Sequence, residues 1–246
     1  MADENVLACC QLQIQAHARG EVLAQVDAAM APGRVTAIIG PNGAGKSSLM
    51  GHLAGLTTPR SGCVLLGTTP ILNMAPAQRA LRMALMAQDT QVAFAFLVQE
   101  VVEMGRYPHR SAPDAQEAAI VQAAMALTGV AHLSERVVSS LSGGERARVH
   151  LARALAQGWQ PRPDGLARWL LLDEPTAALD LQHQHLCMKL LQQRAHSQGV
   201  GVVAVLHDLN LALRYADDVL LVPGQGHAGV FGPTHAVLTA QRIAQT

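Results

Sequence analysis

The run Gly40-Pro41-Asn42-Gly43-Ala44-Gly45-Lys46-Ser47-Ser48 decides how the rest of the chain is read. It fits the spacing G-x-x-x-x-G-K-[ST], follows the apolar run Val35-Thr36-Ala37-Ile38-Ile39, and precedes a helix-compatible stretch from Ser48 to Leu53. The order is therefore strand, glycine loop, helix, which is the context a phosphate-binding loop requires. Glycines at 40, 43 and 45 permit positive φ and a close backbone approach. Successive N–H groups then converge on phosphate oxygens at the positive end of the helix. Lys46 is expected to reach the β- and γ-phosphates, and Ser47 is placed to ligate Mg²⁺. A glycine turn before an ordinary helix is the alternative, and the flanking strand and helix weigh against it.

A second segment, Leu170-Leu171-Leu172-Asp173-Glu174-Pro175, is a short apolar run ending in two carboxylates. It predicts a buried parallel strand whose C-terminal tip presents Asp173 and Glu174 beside the phosphate loop, the edge at which α/β sheets bind ligands. Asp173 is the expected carboxylate for Mg²⁺, directly or through water, and Glu174 the group that polarises the water attacking the γ-phosphate. An Asp-Glu pair after a strand is commonly just a solvated strand end. Here Pro175 and Thr176-Ala177-Ala178-Leu179-Asp180 follow, and the combination is far more specific. Between the two segments, Leu141-Ser142-Gly143-Gly144-Glu145 opens a helix predicted to run to about Gln157, and its hydroxyl and exposed amides form another anion site at a helix N-terminus.

Together these segments resemble the Walker A, signature and Walker B motifs of ABC-type ATPases, and the resemblance covers nearly the whole chain. It implies an α/β fold: a P-loop NTPase (RecA-like) core with an antiparallel β edge and an inserted α-helical subdomain. The core would take residues 1–88 and 159–246, the helical subdomain 89–158. It implies ATP and Mg²⁺ as cofactors. Gln88, in Met86-Ala87-Gln88-Asp89, matches the Q-loop glutamine that binds Mg²⁺ or water and senses a transmembrane partner. Asp180 matches the D-loop aspartate, and His207, after the apolar run 202–206, matches the switch histidine that contacts the γ-phosphate. Taken singly, Gln88 and His207 are weak signals; their order and spacing give them weight.

By this resemblance Gly40 to Ser48 cradle the nucleotide, Ser142, Gly143, Gly144, Glu145 and Asp180 contact it as well, and Ser47, Gln88 and Asp173 hold the metal. Glu174, His207, Gln88 and Lys46 carry the catalysis. In this family the signature of one subunit closes over the nucleotide of the other, and the chain holds one set of motifs, so a homodimer with two-fold symmetry is expected. Lys46, Mg²⁺ and His207 would act in cis, with Ser142 and Gly144 in trans.

The 246 residues, half of them hydrophobic, suffice to bury the core of one domain with a subdomain. Eighteen basic residues balance 18 acidic ones, so the chain lacks the positive field that nucleic-acid binding exploits. The N-terminal Met1-Ala2-Asp3-Glu4-Asn5 has no basic, apolar leader pattern. No apolar run approaches the ~18 to 20 residues that span a bilayer. A soluble subunit is expected, and cysteines at 9, 10, 63 and 187, without C-x-x-C spacing, suit unpaired thiols in a reducing compartment.

Along the chain, residues 11–39 and 62–67 read as short strands with turns at Ala18-Arg19-Gly20 and Ala31-Pro32-Gly33. Residues 89–158 read as helical, with breaks at Tyr107-Pro108-His109 and Ala112-Pro113-Asp114. A Pro/Gly loop, 159–165, returns the chain to a core strand at 168–173. Helix and strand then alternate to Val222, and the tail from Pro233 reads as a final helix. His183, His185 and Cys187 offer metal-type ligands, but on a helix His185 points away from the other two, so a solvent-facing polar surface is the better account. The run Val92-Ala93-Phe94-Ala95-Phe96-Leu97-Val98 is either core or, since the resemblance implies that the region directly after Gln88 receives the membrane subunit, a partly exposed docking patch; the latter is favoured.

Finer resemblance selects a subgroup. The stretch from Phe94 through Gly105-Arg106-Tyr107-Pro108-His109 looks like importers of iron chelates, cobalamin and haem. Asp180-Leu181-Gln182-His183-Gln184 and Ala204 through Asp217 most resemble haem (hemin) importer ATPases. The implied partners are two transmembrane permease subunits and, indirectly, a periplasmic binding protein. Membrane contact would run through the permease only, at the cytoplasmic face of the inner membrane. The alternatives are the same machine for a ferric siderophore or cobalamin and, from another class, a soluble ABC ATPase in DNA repair or on ribosomes. Many relatives stack adenine on an aromatic residue before the phosphate loop. Gln15-Ala16-His17-Ala18-Arg19 has none, and His17 is the available substitute.

Overall fold

The structure, a computed structural model, describes residues 4–15, 20–88 and 95–243. Among them the strands are β1 (Leu7–Gln15), β2 (Val22–Met30), β3 (Val35–Ile39), β4 (Cys63–Leu66), β5 (Thr69–Pro70), β6 (Met83–Met86), β7 (Trp169–Asp173), β8 (Gly201–Val205), β9 (Asp218–Leu221) and β10 (Val230–Pro233). The α-helices are α1 (Lys46–Leu53), α2 (Pro76–Arg82), α3 (Val98–Glu103), α4 (Glu117–Leu127), α5 (Gly143–Gln157), α6 (Leu181–Gln198), α7 (Leu209–Tyr215), α8 (Thr234–Val237) and α9 (Ala240–Ile243).

Every residue of β3, β7, β8 and β9 is buried. Such unbroken apolar runs belong to a parallel sheet covered on both faces. The sheet order is β10-β9-β3-β8-β7-β6, parallel except where β10 runs antiparallel to β9. Alternation of side chains divides each strand between two cores. Val35, Ala37, Leu170, Leu172, Val202 and Ala204 face α5, α6 and α7, while Ile38, Leu171, Val203, Val205 and Leu220 face α1 and a second sheet. That second sheet is antiparallel, β2-β1-β4-β5, and forms the β edge over the phosphate loop.

A third core joins α3, α4 and one side of α5. Gly105 makes its tight packing possible: a Cβ there would sit 2.3 Å from the Arg153 carbonyl oxygen on α5. Arg106, 7% exposed, grips Glu117 of α4 through Nε and Nη2 at 2.6 and 2.8 Å and donates Nη1–H to the Ala156 carbonyl at 2.7 Å. One guanidinium thus ties together the 104–109 turn, α4 and α5.

The structure departs from the sequence reading at four places. β1 begins at Leu7, before residue 11, because a bulge with φ +46 at Gln11 resets the alternation from Leu7 and Cys9 to Leu12 and Ile14, hiding the period of two. The tail is not one final helix: Pro233 ends β10, an edge strand where proline is tolerated, and two single turns, α8 and α9, follow. Residues 89–94 lie outside the described residues. Of the expected docking patch, Ala95 is exposed and Phe96 and Leu97 are half-buried, Phe96 packing on the third core, while Val98 is fully buried and belongs to that core. His183 and His185 do not form a merely solvated face: both are half-buried, His183 Nδ1 lies 2.8 Å from Asp180 and His185 Nδ1 2.9 Å from the Tyr215 hydroxyl, while Cys187 enters the core. No helix among the described residues is long and apolar enough to cross a membrane.

Candidate nucleotide site

β3 ends against the segment after β9, where the Val222 amide donates to the Ile39 carbonyl at 2.7 Å. Gly40 follows at once, and a Cβ there would lie 2.1 Å from the Val222 carbonyl oxygen, so only glycine allows the chain to turn here. Gly45, at φ +93, caps α1 without any side-chain hydrogen bond, and no acidic residue stands in the first turn. The positive end of α1 is left facing the cleft, which favours an anion.

That cleft measures about 440 Å³ and brings together Asn42, Gly43, Gly45, Lys46, Ser47 and Ser48 of the loop with Gln88 and Glu174. Lys46, 6% exposed, donates from Nζ to the carbonyls of Gly40 and Pro41, each at 2.9 Å. Burial lowers its pKa, against the raising influence of Glu174 and Asp173. Asp173, 5% exposed at the tip of β7, leaves Oδ1 buried without a hydrogen-bond partner among the described residues. Burial pushes its carboxyl up, a hydrogen bond with the Ser47 hydroxyl draws it down, Glu174 raises it further, and Lys46 and His207 lower it. Ser47 Oγ stands 3.5 Å from Gln88 Oε1. An orphaned carboxylate oxygen beside a hydroxyl and an amide oxygen is a hard-oxygen donor set that suits Mg²⁺.

Glu174 takes φ +54, a left-handed conformation rare outside glycine, which turns its side chain back over the sheet edge. There its Oε1 lies 2.6 Å from Nε2 of His207, delivered by the turn after β8. The arrangement can hold a triphosphate on the loop amides and Lys46 and present a carboxylate beside its terminal phosphate.

The remaining expected contacts are elsewhere. No residue of 142–145, nor Asp180, is among the described residues lining the cleft. Ser142 caps α5: its Oγ accepts from the Glu145 amide at 3.2 Å, and Glu145 Oε2 accepts from both the amide and the hydroxyl of Ser142 at 2.8 Å. Those bonds hold the Glu145 carboxyl below the usual range. Gly143 and Gly144 approach Ala178, where a Cβ on Gly144 would come within 2.9 Å of the Ala178 carbonyl oxygen. Asp180 caps α6 by accepting from the His183 amide at 2.8 Å.

Sequence reasoning missed Leu23 of β2, which also lines the cleft, and the Glu174–His207 contact. Leu23 carries no distinguishing signal, since an apolar residue on a strand reads as core. Of the segment considered for adenine, Ala16 to Arg19, including His17, lies outside the described residues.

A family profile described as ABC transporter matches residues 23–177. The chain is 48% identical to the hemin import ATP-binding protein of Gloeobacter violaceus over 223 residues, 90% of this chain and 80% of that one. It is 47% identical to the hemin import ATP-binding protein of Pseudomonas fluorescens, covering 91% and 85% of the two chains. Among solved structures it superposes on a metal-chelate type ABC transporter in an inward-facing conformation with a TM-score of 0.79 and 29% identity, over 97% of this chain and 87% of the other. A dimeric ATP-binding cassette bound to ADP and phosphate, 23% identical, matches with a TM-score of 0.80 over 93% and 98% of the two chains.

Proposed function

From the premise that this chain belongs to the ABC transporter family, we propose that it is the ATPase subunit of an inner-membrane importer of hemin. Its enzymatic class is that of an ABC-type transport ATPase, and its domain binds ATP. The cargo reading rests on one observation: relatives 43–48% identical over about nine-tenths of the chain are hemin import ATP-binding proteins. The chain works as a homodimer in partnership with two transmembrane permease subunits, with a periplasmic binding protein engaged only through them, and sits peripherally on the cytoplasmic face of the inner membrane. Residues 1–88 and 159–246 form the nucleotide-binding core and 89–158 the helical subdomain.

In this reading the loop from Gly40 to Ser48 and Lys46 bind and orient the triphosphate. Ser47, Gln88 and Asp173 would hold Mg²⁺, which neutralises phosphate charge when bound. Glu174 accepts the proton of the attacking water, and His207, fixed by Glu174, contacts the γ-phosphate. Ser142, Gly143 and Gly144, which do not line the cleft of their own chain, close over the nucleotide of the partner, with Glu145 and Asp180 ordering the starts of α5 and α6 at that seam.

The test is growth of a deletion strain on hemin, on a ferric siderophore and on inorganic iron. Loss of growth on hemin alone, restored by the wild-type gene but not by Lys46→Ala, is expected. Intact growth on hemin with failure on another chelate would move the cargo to that chelate, which is the second reading that likeness to a metal-chelate type transporter supports.

A further inference from the structure

At the N-terminal ends of β7 and β8, the end of the sheet opposite to Glu174 and His207, a cavity of about 780 Å³ opens between the loop 158–168 and the last turn of α6. Three arginines line it, Arg162, Arg168 and Arg194, and no acidic residue does among the described residues. Arg162 is matched by Asp164. Arg168 and Arg194 form no ion pair among the described residues. Arg168, 9% exposed, donates Nε–H and Nη1–H to the carbonyls of Gln160 and Leu81. Arg194, 5% exposed, lies with Cζ 4.7 Å from the centre of the Trp159 ring and donates Nη2–H to the Trp159 carbonyl at 3.4 Å. Its Nε has no hydrogen-bond partner among the described residues.

Buried guanidinium groups are ordinarily matched by carboxylates or phosphates, because carbonyl dipoles do not restore the hydration they lose. Arg168 shows the strain of this arrangement: burial first, then Arg162 and Arg106, pull its pKa down to about 10. Arginines that line a concave site without a carboxylate to match them are suited to recognition of an oxyanion.

We propose that this cavity binds a small multivalent anion, a phosphate- or carboxylate-bearing metabolite, through Arg168 and Arg194, with Ser197 and Gln198 at its mouth. A small ligand fits better than an acidic protein segment because Arg168 and Arg194 are both buried and line a concave space. The site is separate from the nucleotide cleft and shares no lining residue with it.

Calorimetric titration of inorganic phosphate and, separately, of tricarballylate into the full-length protein saturated with magnesium ADP tests this. One saturable site per chain is expected, and the tighter of the two anions identifies the phosphate or the carboxylate source. Arg194→Met and Ser197→Glu should each weaken binding by about tenfold or more, the equivalent of one charge-assisted contact. Arg194→Met removes a buried group, so Ser197→Glu, an exposed change that places a carboxylate at the mouth, carries the test if the first variant misfolds. Absence of saturable binding by both anions, or binding that Ser197→Glu leaves unchanged, overturns the proposal.

Discussion

His207 Nε2 lies 2.6 Å from Glu174 Oε1, so the two groups proposed to act on the terminal phosphate and its attacking water are held as one unit. Glu174→Gln should retain ATP binding, trap a closed dimer and slow turnover by about 10²–10⁴-fold, the usual worth of a general base. Because paired groups are not additive, the double variant Glu174→Gln/His207→Ala should be little slower than Glu174→Gln alone. Single-turnover phosphate release measures both. Wild-type-like turnover in Glu174→Gln would refute the role given to that carboxylate.

Two glycines of the phosphate loop should respond differently to alanine. At Gly43, φ is +80 and nothing lies within 4 Å of an added Cβ, so Gly43→Ala should cost only the left-handed strain of about 1–2 kcal/mol. At Gly40 the added Cβ meets the Val222 backbone at 2.1 Å and must push β3 from its neighbour. Gly40→Ala should therefore cost more than about 3 kcal/mol. Urea melts of the two variants compare them directly, and equal losses would contradict the backbone-contact account.

The glycine loop and the carboxylate pair were legible because their chemistry demands fixed residue types at fixed spacing along a strand–loop–helix unit. Leu23 was not, since nothing in an apolar strand residue says which cavity it faces. The start of β1 was hidden by the bulge at Gln11, and β10 by a Gly-Pro ending that an edge strand tolerates but a central strand does not. Helix periodicity sets only the direction of His183 and His185, whereas their pairing with Asp180 and Tyr215 depends on how α6 meets its own cap and α7.

Acid should loosen the α4–α5 layer through Glu117. The Arg106 hydrogen bonds hold its carboxyl at about 2, below its ordinary 4.5, against the opposing effect of burial. A depressed carboxylate stabilises the fold fully above about pH 4.5 and loses that contribution as pH falls toward 2. Glu117→Gln should lower Tm at neutral pH, by about 2–4 °C for each kcal/mol lost. Its Tm should also fall less steeply than that of the wild type between those pH values. Parallel acid limbs in the two proteins would count against the pair.

Thiol chemistry should separate the four cysteines. Burial, the largest cause in each case, raises Cys9 and Cys187 to about 12, while Cys10 and Cys63 are only half-buried. Iodoacetamide at about pH 8 should modify Cys10 or Cys63 in the folded protein and reach Cys9 and Cys187 only on unfolding, because the thiolate is the nucleophile. Peptide mass mapping reads the order, and early labelling of Cys187 would contradict its place in the core.

Ser142 does not line the cleft of its own chain, and the composite site proposed for the dimer carries a genetic consequence. Ser142→Asp keeps an N-cap residue for α5 while setting a negative charge toward a phosphate, and Lys46→Ala disables the loop. Each allele alone should yield an inactive homodimer. In a mixed pair both lesions fall on one composite site and the other is wholly wild type, so the two alleles should complement one another when coexpressed. Lys46→Ala with Glu174→Gln should fail to complement, because each chain then spoils a different site.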